Sequence, residues 1–235
     1  MIQHRQNILV TVDTAIFTLQ DSQLHVLLVR RATDPFKGTW ALPGGVVQEE
    51  QDASLEQTAF RKLAEKTGVA SPYLEQVMTF GGSERDPRGY SVSVLYMALL
   101  RSTDLVLQGD ERVSDIAWVR VEGEGVDCTL AFDHLKLLRA ACQRLRTKAQ
   151  YSSLIAHLLP DQFTLSELRD AYNSILGVQL NAAGFRRRVL QAGLVEEVEG
   201  AFRHHGRRPA QLYRLHPESD QMYFETNLVS RAGED

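Results

Sequence analysis

The chain has 235 residues, of which 43% are hydrophobic and 24% charged, which is typical of a globular protein large enough for two small domains. A formal net charge of −4 excludes a uniformly basic nucleic-acid-binding chain, so any site for polyanions must be local. Two cysteines exclude a disulfide framework, and because we find no signal-peptide pattern and no bilayer-length apolar run, we expect a cytoplasmic protein without a membrane partner.

The first part of the chain alternates strand-like and turn-like segments. Apolar and β-branched runs at 7–19 and 23–31 flank a short polar turn and predict a β-hairpin. Residues 54–67 have helical composition and end at Gly68, which is suited to a helix C-cap. An apolar spacing of three and four residues predicts an amphipathic helix over 130–146. Further strands are expected at 75–80, 90–100 and 115–121, with a turn-rich loop at 81–89.

The later part of the chain is rich in helical segments. A short helix is expected at 152–159, and Thr164 with Glu167 forms the pattern of a capping box that starts a second helix. A third helix is expected from Asn181 to Gly193. Two strand-like segments, LVEEV and QLYRL, are joined by the basic segment FRHHGRRPA. Three helices followed by a basic hairpin predict a winged helix-turn-helix.

The segment from Gly38 to Val69 carries a spaced pattern of glycine, arginine and glutamate. It combines the turn LPGG with the helical segment RKLAEKTGV and resembles the Nudix hydrolase box. In that box, three glutamates on one helix face bind Mg²⁺, and the metal polarises a diphosphate for attack by water. In this chain Lys62, Glu65 and Lys66 stand at those three positions. Ala53 stands at an earlier box glutamate, and the loop before it is two residues longer than in the box.

The two lysines change the chemistry expected of this helix. Side chains three and four residues apart lie within about 5–6 Å of one another, and ammonium groups repel a divalent cation in a partly desolvated cleft. Glu65 is therefore expected to pair with its own lysines, and we predict no magnesium site, no catalytic residues and no required cofactor. The alternative is an active ADP-ribose pyrophosphatase with an accessory winged helix, which would use Glu65 with Glu50 or Asp52.

The same cleft is expected to bind a nucleoside diphosphate linked to another group, because the resemblance implies ligands of that class. Lysines in place of a metal contact phosphate as point charges, and aromatic residues nearby supply a stacking surface. Because neighbouring strand residues face opposite sides, only one of Arg30 and Arg31 is expected to point into the cleft. The candidate effector-binding residues are Arg31, Phe36, Lys37, Gly44, Gly45, Lys62, Glu65, Lys66 and Arg88.

Basic residues of the second domain coincide with the two elements that meet DNA in a winged helix-turn-helix. The recognition helix enters the major groove, where arginine reads guanine edges, and the wing follows the phosphates. Phe185 and Val189 are expected to face the core, with Arg188 near the packed side. A protein-interaction module is the other interpretation of this domain, and His25 and His134 are interpreted as structural. The candidate DNA-binding residues are Thr164, Asn181, Arg186, Arg187, Arg203, His204, Arg207 and Arg208.

The chain resembles the NrtR family of Nudix-related transcriptional regulators of NAD metabolism. The resemblance rests on a Nudix-like domain with an altered box, followed by a winged helix that ends in GRRPAQLYRL. The resemblance implies an α+β fold, with a Nudix-like α/β/α sandwich over residues 1–148 and a C-terminal winged helix-turn-helix over 149–235. It implies a bacterial homodimeric repressor that binds double-stranded operator DNA at paired half-sites and is released by ADP-ribose or a related NAD metabolite. The regulated genes that it implies are those of NAD biosynthesis or salvage.

Overall fold

The computed structural model describes residues 8–69, 73–101, 112–205, 208–219 and 223–229. These residues fall into two compact units. The first contains the described residues of 8–17, 25–100 and 112–142, and the second contains those of 18–24 and 143–229 together with residue 101. In the described part of the chain, no helix is long and apolar enough to cross a membrane.

A mixed seven-stranded sheet forms the framework of the first unit. Its strands are β1 (Leu9–Gln20), β2 (Gln23–Arg31), β3 (Trp40–Ala41), β4 (Gly44–Val46), β5 (Tyr73–Asp86), β6 (Gly89–Leu99) and β7 (Val113–Arg120). The main path runs β3-β2-β1-β6-β5, with β4 paired to β1 and β7 paired to β2. Strand β1 runs parallel to β6 and is buried over residues 12–18, where Asp13, Thr14 and Thr18 lie among the apolar residues. The predicted hairpin is confirmed as β1 and β2.

The helix predicted after the glycine turn is confirmed as α1 (Leu55–Thr67), and its caps explain where it begins and ends. The Ser54 side chain accepts a backbone hydrogen bond from the first turn, and Gly68 closes the helix at a φ of 70°, which glycine adopts without strain. Ala59 and Leu63 are fully buried in two apolar clusters of the core. The two lysines of the altered box lie on this same buried face of the helix.

The helix predicted near the end of the first domain is observed as α2 (His134–Ala149), which starts and ends later in the chain than the apolar spacing indicates. Leu138, Cys142 and Leu145 are buried, as that spacing predicts. Phe132 has a positive φ of 55° and lies outside the helix. The spacing therefore continues through a segment whose backbone is not helical.

The prediction of a loop over residues 81–89 is wrong, because most of this segment is strand. Strand β5 continues to Asp86, and β6 begins at Gly89, which has a φ of 139°. The two strands pair at both ends of the segment, with Gly82 opposite Ser91 and Asp86 opposite Gly89, and the register shifts between these pairs. Glycine and polar residues are tolerated here because most of this hairpin is solvent-exposed. The turn-like composition of 81–89 therefore reflects solvent exposure.

The second unit has the element order of a winged helix. It contains a 3-10 helix (Leu154–Leu158), α3 (Leu165–Leu176), α4 (Ala182–Gln191), β8 (Val195–His205) and β9 (Arg208–Leu215). The capping box of Thr164 and Glu167 is present, as predicted. The first helix is a 3-10 helix because only five residues form it before Pro160, and short helical pieces favour that tighter geometry.

Aromatic side chains close the core of the second unit. Tyr172 is almost fully buried, and its hydroxyl donates to the Ser152 carbonyl at 2.6 Å. The rings of Phe185 and Phe224 lie 5.4 and 6.1 Å from that of Tyr172. Phe224 and Leu228 are both buried, although no sequence pattern predicts an element after Pro217. The C-terminal segment is therefore part of the core of this unit.

Candidate functional site

A cleft of about 370 Å³ opens on the first unit beside the sheet, helix α1 and the segment before α2. Among the described residues that line it, basic side chains outnumber acidic ones two to one, and such an excess of positive charge attracts polyanions. The basic residues are Arg31, Lys62, Lys66, Arg85, Arg88 and Arg112, and the acidic residues are Asp13, Asp34 and Asp86.

The Pro-Gly-Gly turn brings its backbone close to the side chains of the cleft floor. Strand β4 pairs with β1, with Gly44 opposite Asp13 and Gly45 opposite Val12. A side chain at Gly44 would overlap the Asp13 carboxylate, and a Cβ at Gly45 would lie 3.1 Å from Cε of Lys62. Gly44 is therefore required by the close approach of the Asp13 carboxylate and the Val12 backbone, whereas a side chain at Gly45 would press against the flexible end of Lys62.

Helix α1 turns its two lysines toward the cleft and its glutamate away from it. Lys62 and Lys66 are 9% and 3% exposed, and both line the cleft, whereas Glu65 does not. The Glu65 carboxylate accepts hydrogen bonds from Lys62 Nζ and Arg61 Nη1, each at 2.9 Å. Burial raises the pKa of Glu65, but the hydrogen bonds and charges of these two partners outweigh it and leave the pKa below its usual value. The predicted pairing of Glu65 with a neighbouring lysine is thus present.

The carboxylates of this helix and its preceding loop do not fit a magnesium site. Asp52 accepts hydrogen bonds from the Arg61 guanidinium at 2.7 and 2.6 Å, and its side chain is fully buried. These hydrogen bonds hold the pKa of Asp52 well below its usual range. Glu50 is exposed and does not line the cleft. Within the described ranges, no group of three or more His, Cys, Asp or Glu side chains is placed to hold a metal ion.

The structure brings together six of the nine residues predicted to bind the effector. Phe36 and Lys37 are exposed and do not line the cleft, and Glu65 is paired with Arg61 and Lys62. The ring of Phe36 meets that of Phe132 edge-on, at 4.7 Å between centroids. The six that line the cleft are Arg31, Gly44, Gly45, Lys62, Lys66 and Arg88, and their contact with an effector stays a prediction.

Arg31 is the member of its pair that faces the cleft. Arg30 is exposed and donates to the Gly38 carbonyl at 2.8 Å. Arg31 donates to the Pro35 carbonyl at 2.7 Å, and its guanidinium carbon lies 4.8 Å from the centre of the Phe132 ring. Burial lowers the pKa of Arg31, and the positive charge of Arg88 lowers it further. Arg88 also donates hydrogen bonds to the Asp86 carboxylate at 2.9 and 2.6 Å, and the negative charges of three aspartates act on the pKa of Arg31 in the opposite direction.

Several residues of the cleft were not predicted from the sequence. Phe132 and Arg85 line it, and Arg85 forms two hydrogen bonds at 2.8 Å to the carboxylate of Asp133. Asp13 and His134, which stand far apart in the sequence, also line it. No local spacing connects these residues, because the sheet and the start of α2 bring them together. The positive φ of Phe132 is a local signal of strain, but it is visible only in the structure.

Helix α4 presents arginines with different surroundings. Phe185 and Val189 are buried, which confirms the predicted core face. Arg188 donates to backbone carbonyls of the C-terminal segment at 3.0 and 3.2 Å, which confirms its place on the packed side. Arg186 and Arg187 are exposed. Arg186 lies against the hydroxyl of Tyr213 in strand β9, whose pKa is raised by burial despite this cation. Asn181 caps the helix by accepting a hydrogen bond from the Gly184 amide at 2.9 Å.

Two further predicted DNA contacts, Thr164 and Arg203, are also engaged within the protein. The buried Thr164 hydroxyl accepts a hydrogen bond from the Glu167 amide at 3.2 Å. Arg203 forms an ion pair at 2.5 Å with the Glu167 carboxylate and donates to the Gln162 carbonyl. These contacts tie the wing to the start of α3. His204 is exposed, while Arg207 and the side chain of Arg208 lie outside the described residues. For all of these residues, contact with DNA stays a prediction.

Both units have counterparts among known protein families. Residues 10–140 match the NUDIX domain, and residues 155–215 match the NrtR DNA-binding winged helix domain. The chain is 48% identical over 209 residues to the ADPR responsive transcriptional repressor of Acinetobacter baylyi, and the match covers 88% of this chain and 82% of that protein.

One solved structure matches this chain over most of its length, and another matches its NUDIX domain. Shewanella oneidensis NrtR in complex with a 27mer DNA matches with a TM-score of 0.86 at 45% identity, covering 94% of this chain and 99% of that one. The NUDIX domain of S. oneidensis NrtR in complex with ADP ribose matches with a TM-score of 0.55 at 47% identity, covering 62% of this chain and 93% of that one.

Proposed function

This chain belongs to the NrtR family of Nudix-related transcriptional regulators, and on that premise we propose that it is a repressor whose operator DNA is released when ADP-ribose binds in the cleft. The single observation that carries the proposal is the pair of buried lysines that replace box carboxylates and line the cleft. Regulation of NAD biosynthesis or salvage genes is proposed from family membership alone.

Buried lysines suit a sensor better than a hydrolase. A divalent cation would have to approach Lys62 and Lys66 against two positive charges in a cleft of low dielectric. A diphosphate, in contrast, brings negative charge into the cleft, where both ammonium groups attract it. Each lysine then supplies a charge-assisted hydrogen bond directly, without an intervening metal. A ligand that is bound but not cleaved can report its own concentration.

The second unit supports the DNA-binding half of the proposal. Helix α4 follows α3 in a helix-turn-helix order, and its exposed side carries Arg186 and Arg187. Arginines that project from such a helix read base edges or contact phosphates in the major groove. The overall charge of −4 means that binding depends on this local patch, and we expect it to weaken as salt rises.

A homodimer that binds two half-sites is part of the proposal. Half-sites read by paired recognition helices lie about 34 Å apart, which is one turn of DNA. An effector can release DNA only if it binds more tightly to an arrangement of the dimer that no longer matches this spacing. We expect two chains for each operator duplex, measured by light scattering of the purified complex.

ADP-ribose is expected to release the protein from specific DNA. A duplex selected from a random-sequence pool, or taken from upstream of NAD biosynthesis genes, should be shifted in a native gel at fixed salt. Addition of ADP-ribose should abolish the shift because effector and DNA favour different arrangements. AMP, which lacks the diphosphate and the second sugar, is the control ligand and should leave the shift in place.

The outcomes of this experiment separate the two halves of the proposal. A specific shift that ADP-ribose leaves unchanged would reject ADP-ribose as the effector and keep the DNA-binding function. Absence of any sequence-specific shift would reject the repressor function. Release of AMP and ribose 5-phosphate from ADP-ribose with Mg²⁺ would favour the pyrophosphatase instead.

Neutralising both cleft lysines is expected to weaken ADP-ribose binding. The double variant Lys62→Gln with Lys66→Gln should lose at least about tenfold in affinity, because two hydrogen bonds to charged phosphate oxygens become neutral ones. Isothermal titration calorimetry in the presence of EDTA measures this directly. Glutamine is one atom shorter than lysine but is uncharged and fills most of the same space, so the buried face of α1 loses little packing.

Two further variants complete this test, one that removes a positive charge outside the cleft and one that reverses the charge of both lysines. Arg120→Gln removes an exposed positive charge from strand β7 and should leave the affinity unchanged. Lys62→Glu with Lys66→Glu restores the carboxylates of the box and should make ADP-ribose binding depend on Mg²⁺. Full affinity of the glutamine variant would show that the lysines do not contact the diphosphate.

A further inference from the structure

A carboxylate and an imidazole face each other at the floor of the cleft, and binding of a diphosphate by lysines and arginines uses neither of them. Asp13 Oδ1 lies 3.7 Å from His134 Nε2. The two residues are 7% and 5% exposed, and both line the cleft. A negative charge among the phosphate-binding cations lowers affinity for a simple anion, so its presence calls for a different ligand group.

The hydrogen bonds around the pair define which atoms face the cleft. His134 Nδ1 accepts the Leu42 N–H at 2.9 Å, and burial lowers the pKa of His134, so the neutral ring carries its proton on Nε2. Asp13 Oδ2 accepts the Ser93 hydroxyl at 2.5 Å. Nε2–H therefore remains as a donor and Oδ1 as an acceptor. At 3.7 Å these two atoms are too far apart to form a normal hydrogen bond with each other.

A hydroxyl group is the ligand chemistry that matches such a pair. A hydroxyl accepts one hydrogen bond and donates another, so one oxygen atom can bond to the imidazole and to the carboxylate together. A phosphate oxygen only accepts, and Asp13 repels it. We propose that Asp13 and His134 form a subsite for a sugar hydroxyl of the effector, which selects a sugar-bearing diphosphate over an unsubstituted one. This inference rests on the proposed function of the cleft.

Surrounding contacts hold the subsite in one geometry. Ser93 fixes one oxygen of Asp13, and the absence of a side chain at Gly44 leaves room for the other. The Leu42 amide fixes the ring of His134. A subsite that is rigid before the ligand arrives loses little conformational entropy on binding, which makes its selectivity stronger.

The variant Asp13→Asn tests whether Asp13 binds a hydroxyl group of the ligand or only repels anions. The probes are ADP-ribose, ADP ethyl ester, which has the same diphosphate diester but lacks the second sugar, and inorganic diphosphate. Calorimetry should show ADP-ribose affinity reduced about tenfold or more, since a hydrogen bond to a charged carboxylate becomes a weaker one to a neutral amide. Affinity for inorganic diphosphate should stay equal or rise, because a nearby negative charge is removed. Weakening of the ethyl ester as well would place the adenosine sugar in the subsite.

Equal changes for all three probes would overturn the subsite, because they would show that Asp13 acts through its charge alone. If Asp13→Asn does not fold, Ser93→Ala keeps the carboxylate and only frees it to rotate. That variant should lower the ratio of ADP-ribose to diphosphate affinity about threefold or more, and an unchanged ratio would also overturn the subsite. Wild-type protein that binds diphosphate no more weakly than ADP-ribose would overturn it as well. Failure of the wild type to bind any probe would reject the proposed function and the subsite with it.

Discussion

Arg187→Ala is expected to weaken binding to the operator by about 1–3 kcal/mol, which is roughly 5- to 150-fold, because one arginine that reads a base edge contributes that much. Arg187 is exposed on α4. Its two neighbours have other surroundings, since Arg186 lies against Tyr213 and Arg188 bonds to the C-terminal segment. Arg187 is therefore the arginine of this helix that we expect to read bases.

Binding of labelled duplexes measured by fluorescence anisotropy at several salt concentrations tests this assignment. Arg187→Ala should lower specific affinity while non-specific affinity falls much less, so the ratio of the two decreases. Arg187→Lys is the matched control because it keeps the charge but loses the planar fork that bonds to guanine at two atoms. The lysine variant should keep the salt dependence of the wild type and still lose specificity.

A different outcome would assign Arg187 to the phosphates. In that case Arg187→Ala would weaken specific and non-specific binding equally and reduce the slope of log affinity against log salt by about one contact. Arg187→Lys would then behave like the wild type. Arg186 would become the residue to test for base reading, with Tyr213→Phe showing whether its contact with the wing matters.

Elements whose signals are local could be predicted from the sequence. The C-cap at Gly68 and the capping box at Thr164 depend on residues within one helical turn, and both are present in the structure. The hairpin of β1 and β2 follows from two apolar runs with a polar turn between them. Segment 81–89 could not be assigned correctly, because a polar hairpin and a loop have the same composition.

The candidate cleft could be predicted only where a motif marks it. Gly44, Gly45, Lys62 and Lys66 belong to the altered box and line the cleft. Asp13 and His134 come from opposite ends of the first unit and meet only because β1 and the start of α2 are brought together by the fold. The partners of Arg203 are likewise distant in sequence, so its engagement with Glu167 could not be anticipated.

Asp52→Asn is expected to lower the stability of the first unit by about 2–3 kcal/mol, because Arg61 loses two charge-assisted hydrogen bonds and keeps the more exposed Glu65 as its ionic partner. Asp52 accepts both hydrogen bonds from Arg61 and a third from the Gln48 amide at 3.0 Å. Asparagine replaces one acceptor oxygen with a donor, which would then face another donor. The ion pair of Asp52 and Arg61 also holds the loop before α1, which is two residues longer than in the Nudix box. Asp52 directly precedes Ala53, the position at which the box has a glutamate.

Both tryptophans of the chain, Trp40 and Trp118, belong to the first unit, so their fluorescence during urea unfolding reports on that unit. Glu50→Gln removes a charge from the same loop at an exposed position and should change the unfolding free energy by less than about 0.5 kcal/mol.

The dependence on pH provides a second test of the same contact. Because Arg61 lowers the pKa of Asp52 in the folded protein, the ionised carboxylate stabilises the fold at neutral pH. This contribution is complete above the ordinary aspartate pKa of about 4 and is lost as the pH falls below it. The difference in unfolding free energy between wild type and Asp52→Asn should therefore be constant near neutrality and shrink in acid. A difference that stays the same down to strongly acidic pH would mean that shape and packing, and not the charge of Asp52, hold the loop to α1.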